Sequence, residues 1–274
     1  MEIERAVLHG KGDLRIETDS IPDSLASDQI LVQTEVSALS TGTDLGNYLG
    51  ESTYVPGAPD YPRWVGYSNA GVVRGIGSGV SHFGVGDRVF SAKPHQSKFI
   101  AGPGDLLVRV PEEVTSEQAS LSYLTGLGLA ALRQARYETG ENLIVVGLGV
   151  IGLSTVALAQ SMGANVVGVA NSEIRAQAAT SMGALGCIAS DAPDPVGSMK
   201  RLLHGGEADI VVLTSNSWES YFLALELVRF GGRVSILGFP GRGQPLLERN
   251  PLDPSPFYSK QLTLLGAGAA PHLE

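Results

Sequence analysis

The stretch Leu143-Ile-Val-Val-Gly147-Leu-Gly149-Val-Ile-Gly152 constrains the fold more than any other part of the chain. Four apolar residues lead into glycines spaced G-x-G-x-x-G, and Leu153, Val156, Ala157 and Ala159 follow. The pattern reads as a buried strand, a glycine turn and a helix. Gly147 permits the tight turn, Gly149 lets the backbone come close to a ligand's phosphates, and Gly152 lets the helix pack on the strand. The amides of Val150 and Ile151 then lie at the positive end of a helix, a natural seat for a dinucleotide diphosphate. A second apolar strand, Val166-Val-Gly-Val169, comes next. The competing reading, a strand–helix turn without a ligand, explains the spacing but not this context.

A chain of 274 residues, 43% apolar, predicts one large or two ordinary domains with a sizeable core. The net charge of −9 comes without any dense Lys/Arg block, which argues against nucleic acid as a partner. Cys187 is the lone cysteine, so an internal disulfide framework and a cysteine-rich zinc site are both excluded. It reads as a small buried hydrophobe, and the composition fits a reducing, cytoplasmic setting. Glu2, Glu4 and Arg5 open the chain without a secretory pattern. Residues 142–172 carry no charge and are long enough to cross a bilayer. Their glycines and polar residues suit a strand–helix–strand series better, so no membrane span is expected.

The first part of the chain is strand-like. Ala6–His9 and Leu14–Thr18 flank Gly10-Lys-Gly-Asp13 as a hairpin. Gln29–Val36, Gly71–Ile76, Asp87–Ser91, Lys98–Ile100 and Leu106–Val110 continue the series. Short strands broken by Gly and Pro predict a small barrel or sandwich. From Ser116 the period changes. Glu117–Arg136 reads as one helix, followed by strands near 143–147, 165–170, 186–190, 208–213 and 233–237, with helices at 150–162, 172–182, 194–203 and 217–229. Gly231-Gly232 is expected to stop the last helix, Arg242–Gln261 to be a long loop, and Leu262–Gly266 to be a sixth strand. The alternation predicts a parallel sheet covered on both faces.

The chain at this point resembles the medium-chain dehydrogenase/reductase superfamily. The resemblance rests on the order of the two parts, on Val85-Gly-Asp-Arg-Val89, and on Thr139-Gly-Glu141 leading into the glycine turn. Ser37-Ala-Leu-Ser-Thr-Gly-Thr-Asp44 is similar to the branch that includes bacteriochlorophyllide dehydrogenase-like proteins. The resemblance implies an α/β protein: a GroES-like β-barrel substrate domain over 1–122, then a Rossmann doubly wound sheet over 123–274. It also implies a small-molecule substrate, NAD(P) as cofactor and, as is common in the family, a homodimer.

Departures from the family pattern carry as much information. Where zinc members have a cysteine before Gly-Thr-Asp, Thr41 precedes Gly42-Thr43-Asp44. The Gly-His-Glu motif is replaced by Gly66-Tyr67-Ser68, and a later cysteine ligand falls near Tyr123. Hydroxyls do not substitute for the N, S or carboxylate ligands of zinc, so neither a catalytic nor a structural zinc is expected. The family's return segment, from the Rossmann domain back into the substrate domain, is not found before Glu274. The resemblance therefore implies a shortened substrate domain or one completed by another chain.

NAD preference calls for an acidic side chain at the end of the second Rossmann strand. Ala170-Asn171-Ser172 stands there, with Arg175 one turn on, which favours NADP: Ser172 and Arg175 would take the 2′-phosphate. The alternative is NAD, with Asn171 on the ribose and Arg175 in solvent. Thr214-Ser215-Asn216 and Gly238-Phe239-Pro-Gly241 follow the fourth and fifth strands, and both loops are expected to meet the cofactor, the competing reading of the second being an ordinary Pro-Gly turn. By the resemblance, Tyr67 and Thr43 face the former metal position and would polarise the substrate oxygen; the competing role for Tyr67 is to fill the volume the metal vacated. Tyr123 reads as a core aromatic and Asp44 as a brace for its own loop; His95, in the loop after Lys93-Pro94, reads as a surface residue, the alternative being that it reaches the site. His9, His82, His204 and His272 form no constellation. The expected activity is zinc-independent hydride transfer to or from a carbonyl, alcohol or activated alkene. The alternative is a non-catalytic nucleotide-binding sensor or scaffold.

Overall fold

The computed structural model describes residues 1–50, 60–245, 247–248, 250–252 and 254–268. His272, one of the histidines weighed above, lies outside them. The chain divides into two compact units, Met1–Tyr123 and Leu124–Glu274.

In the first unit β1 (Glu2–Gly10) and β2 (Asp13–Ser20) form the expected antiparallel hairpin. Two further strands are β3 (Ile30–Ser37) and β4 (Arg63–Trp64), the latter pairing with β1. Between them lies a short helix, α1 (Thr43–Tyr48), that the sequence patterns do not signal. The remaining strands are β5 (Asn69–Ile76), β6 (Arg88–Ser91), β7 (Lys98–Ala101) and β8 (Leu107–Arg109). They join β3 in an antiparallel sheet of order β7-β3-β5-β6-β8. Val32, Val73, Val89 and Phe99 from four of its strands share one apolar cluster, as period-2 alternation requires. The predicted single helix over 117–136 is two: α2 (Ser116–Ser120) and α3 (Ser122–Gln134), separated at Leu121. α2 starts in a capping box in which the Thr115 hydroxyl accepts from Gln118 N–H and the Gln118 side chain accepts from Thr115 N–H.

In the second unit the strands are β9 (Asn142–Val146), β10 (Asn165–Ala170), β11 (Gly186–Ala189), β12 (Ala208–Leu213), β13 (Val228–Ile236) and β14 (Thr263–Gly266). They are all parallel, in the order β11-β10-β9-β12-β13-β14. The helices between them are α4 (Val150–Ser161), α5 (Glu173–Ser181), α6 (Pro195–Leu202) and α7 (Trp218–Leu227). Leu143, Val145, Ile210 and Val212 pack with α3, α4 and α5, while Ile144, Val146, Val211 and Leu213 pack with α6 and α7. Successive residues of a strand face opposite layers, so the central strands read as continuous apolar runs. This is the doubly wound Rossmann arrangement, and its strand order reverses between β9 and β12.

One local expectation is corrected. Gly231-Gly232 does not end α7; the helix stops at Leu227, and both glycines lie inside β13, beside a register shift in its pairing with β12. The end of α7 is held instead by Lys260, whose Nζ donates to the carbonyls of Leu225, Glu226 and Val228. Among the described residues no helix is long and apolar enough to cross a membrane.

Candidate functional site

The glycine turn of the second unit is built as its spacing requires. Gly147 has φ +94°, a conformation L side chains rarely adopt, and a Cβ there would lie 2.9 Å from Ser215 N and Thr214 Oγ1. A Cβ on Gly152 would overlap the Gly147 carbonyl, so Gly152 is a packing glycine. Gly149 differs from both. It is the N-cap of α4, at φ −80°, with no side-chain cap, and nothing lies within 4 Å of where its Cβ would be. The space above it is open, and the amides of Val150, Ile151 and Gly152 form a first helical turn with no intrahelical acceptor. Those amides and the helix dipole make a cradle for an anion.

A cleft of about 320 Å³ opens at the carboxyl ends of β9 and β10, lined in part by Gly147, Leu148, Asn171, Arg175, Ser215 and Glu219. It sits where the strand order reverses, the place where open α/β sheets bind ligands. Arg175 is exposed, lines the cleft, and donates to Asn171 Oδ1 at 3.1 Å. Ser172 is the N-cap of α5, and its hydroxyl makes no capping bond. Ser190, Ser217 and Ser220 also line the cleft. The sequence reading missed them, although the rule of strand carboxyl ends points to the residues after β11 and β12. Glu219 stands in the first turn of α7, where its own backbone N–H, and then the Gln244 and Ser217 side chains, hold its carboxyl below the usual range.

Of the two loops expected to meet the cofactor, Thr214 has a different task from Ser215. Its hydroxyl donates to the Gly147 carbonyl at 2.6 Å, so it braces the glycine turn, while Ser215 lines the cleft. Gly238 abuts the Ser215 carbonyl closely, and Phe239 N–H donates to Asn216 Oδ1 at 2.8 Å. The Phe239 ring is half exposed.

In the first unit, Tyr67 and Tyr123 meet edge to face with centroids 5.0 Å apart. Tyr123 packs against Ala70, Phe90, Val110 and Ala119, as a core aromatic should. Burial pushes its hydroxyl above the usual range, and Tyr67 adds to the effect. Thr43 opens α1, and its N–H points to Ser40 Oγ at 3.4 Å. Asp44 is a brace as expected: Oδ2 accepts from Ser40 N–H at 2.7 Å.

His95 is not a surface loop residue. Its side chain is only 11% exposed, Nδ1 is hydrogen-bonded to Ser37 Oγ, and Nε2 lies 3.5 Å from Asp44 Oδ2. Sequence reasoning missed this because each partner lies more than 50 residues away. The nearest signal is Gly66, at φ +88°, where any Cβ would overlap the His95 ring.

Thr41 and Tyr67, at the places of family ligands, offer hydroxyls; His95 and Asp44 add two proper donors. Among the described residues no group of three or more His, Cys, Asp and Glu gathers, where a zinc site takes at least three. The described donors at these places, two hydroxyls, one imidazole and one carboxylate, fall short of that number.

Residues 26–126 match the family described as alcohol dehydrogenase GroES-like domain, and residues 150–270 that described as zinc-binding dehydrogenase. Sorbitol dehydrogenase of Bacillus subtilis is 25% identical over 92% of this chain and 80% of its own length. Quinone oxidoreductase of Salmonella typhimurium is 27% identical over 81% of this chain and 70% of its own. Among solved structures, a putative zinc-binding dehydrogenase of Sinorhizobium meliloti bound to NADP superposes with a TM-score of 0.81 at 22% identity, covering 97% of this chain and 84% of that one. Escherichia coli quinone oxidoreductase complexed with NADPH superposes with a TM-score of 0.77 at 24% identity, covering 97% and 81%.

Proposed function

Because the chain belongs to the medium-chain dehydrogenase/reductase superfamily and is an NAD(P)-dependent oxidoreductase, we propose that it works without zinc, prefers NADP, and acts on a carbonyl, an alcohol or an activated alkene. The single observation that carries the cofactor reading is Gly149. It caps a helix with nothing above it, between two glycines that packing explains, and a diphosphate is the group such a cradle takes.

The residues fit the dinucleotide. The first-turn amides of α4 hold the diphosphate, Thr214 keeps the turn in shape, and Ser215 lines the wall beside it. Arg175, with the uncommitted capping hydroxyl of Ser172, supports NADP. No carboxylate precedes Glu173 at the end of β10 to repel a 2′-phosphate, and Arg175 lines the cleft. The NADP and NADPH of the two structural neighbours are consistent with that preference. When bound, the nicotinamide supplies or accepts the hydride. In the substrate domain, Tyr67 hydrogen-bonds the substrate oxygen and exchanges a proton with it as charge develops, and Thr43 adds a second hydrogen bond. The two hydroxyls do together what a Lewis acid does in zinc relatives.

Zinc independence is supported by the donor set, in which hydroxyls stand at the ligand positions. The test is turnover of NADPH with a panel of aldehydes, quinones and enones, run on protein dialysed against EDTA. Activity that survives dialysis and is not raised by added zinc is expected; activity restored only by zinc refutes the metal-free reading.

A further inference from the structure

We propose that His95 is a positioning residue of the substrate-domain site, one that ties the turn bearing Thr43 to the segment bearing Tyr67. This rests on the proposed roles of those two hydroxyls. The imidazole is hydrogen-bonded through Nδ1 to Ser37 at the end of β3, and its Nε2 faces Asp44 Oδ2, in the first turn of α1, across 3.5 Å. Its flat face lies against Gly66, the residue before Tyr67, and no residue with a Cβ leaves room for the ring there. The backbone fixes the loop independently. His95 N–H donates to the Val65 carbonyl at 2.8 Å, and the His95 carbonyl accepts from Ala6 N–H at 3.0 Å. The fully buried Asn69 amide donates to the carbonyls of Lys93 and, at 2.9 Å, Pro94. A loop pinned this firmly is a rigid stage for its side chain.

Hydrogen-bond accounting places a hydrogen on Nε2. Ser37 has one hydroxyl proton and two acceptors in reach: His95 Nδ1, and the Ser68 carbonyl at 3.3 Å. If the hydroxyl donates to Nδ1, the ring hydrogen is on Nε2. If it donates to Ser68, Nδ1–H donates to Ser37. A bare Nε2 would then confront the Asp44 carboxylate lone pair to lone pair, so Nε2 is protonated there as well. Among the described residues, Nε2 and Asp44 Oδ1 are both buried and make no hydrogen bond, and the Nε2–Oδ2 separation of 3.5 Å is long for one. A buried donor beside a buried acceptor gains by closing that gap. The closed contact draws α1 and Gly66-Tyr67 against the same ring.

Two independent arms test this. Nitrogen-15 NMR of the uniformly labelled enzyme, with His95→Phe used for assignment, reads the ring. A protonated Nε2 whose resonance moves in Asp44→Asn is expected, and a bare Nε2 overturns the proposal whatever the enzyme does. The second arm is a kinetic cycle of His95→Phe, Tyr67→Phe and the double variant. His95→Phe is expected to lower kcat at least tenfold with KM for NADPH within twofold, and to lower it little further in the Tyr67→Phe background. Ser37→Ala, which keeps the ring and removes one anchor, should move kcat in the same direction and serves if His95→Phe does not fold. Additive losses overturn the proposal. Failure of the underlying reading is seen separately, as a Tyr67→Phe enzyme as active as the wild type.

Discussion

Alanine at Gly149 and alanine at Gly152 are one methyl each, three residues apart, with opposite expected consequences. At Gly149 the backbone, at φ −80° and ψ −166°, suits any residue, and the added carbon meets no atom within 4 Å. The stability cost is that of a poorer N-cap, about 1 kcal/mol or less. In a chain of this size that lowers Tm by at most roughly 2–4 °C. The methyl, however, occupies the space a diphosphate needs. Losing one charge-assisted hydrogen bond costs about 1.5–3 kcal/mol, so the Kd for NADPH should rise about 10- to 150-fold. At Gly152 the carbon would overlap the Gly147 carbonyl, the oxygen that accepts the Thr214 hydroxyl at 2.6 Å. Overpacking costs about 1–3 kcal/mol, which lowers Tm by roughly 2–12 °C before any ligand is considered. Scanning calorimetry of the ligand-free variants, paired with titration of NADPH fluorescence, measures both quantities. A Gly149→Ala protein that binds NADPH as the wild type does refutes the reasoning. So does one that loses as much stability as Gly152→Ala.

Arg175→Ala should raise the Kd for NADPH about 10- to 150-fold by deleting one charge-assisted contact while moving that for NADH less than about twofold, and equal losses for both would contradict the 2′-phosphate role. Tyr67→Phe should lower kcat by about two to four orders of magnitude with the melting temperature almost unchanged, as steady-state kinetics and thermal melts will show. Cys187 gives a pH test. Burial pushes its thiol up from the ordinary range, outweighing a hydrogen bond from the Gly168 backbone. The native state therefore holds that proton more tightly than the unfolded chain. The resulting stability is complete below the unfolded thiol's range and is lost as pH rises through the native one. Urea unfolding at neutral and alkaline pH should show a decline that is smaller in Cys187→Ala, and native labelling by a thiol reagent should lag that of unfolded protein.

The sheet of the second unit was largely legible in the sequence because its strands are buried on both faces. Runs such as Ile210-Val-Val-Leu213 carry the signal without tertiary information. The glycine turn was legible because two of its three glycines are required by backbone and packing within the motif itself. What stayed hidden was set by partners distant in sequence. Gly231-Gly232 looks like a helix stop, but Lys260 caps α7 and leaves the glycines to β13. That the Thr214 hydroxyl braces the Gly147 carbonyl has no local signal, since the two residues are 67 apart in the chain. α1 is only six residues long and has too few turns to show a period. His95 is buried by Ser37, Asp44 and Gly66, none of which is its neighbour in the chain. A histidine in a Pro-containing loop carries no local mark of burial.

Calorimetric titration of the EDTA-treated protein with NADPH, and separately with NADH, tests most directly whether the first-turn amides of α4 grip a dinucleotide. Saturable heat with one site per chain is predicted for both, with NADPH the tighter. No heat from either, on a sample that still melts cooperatively, would contradict the account at its root.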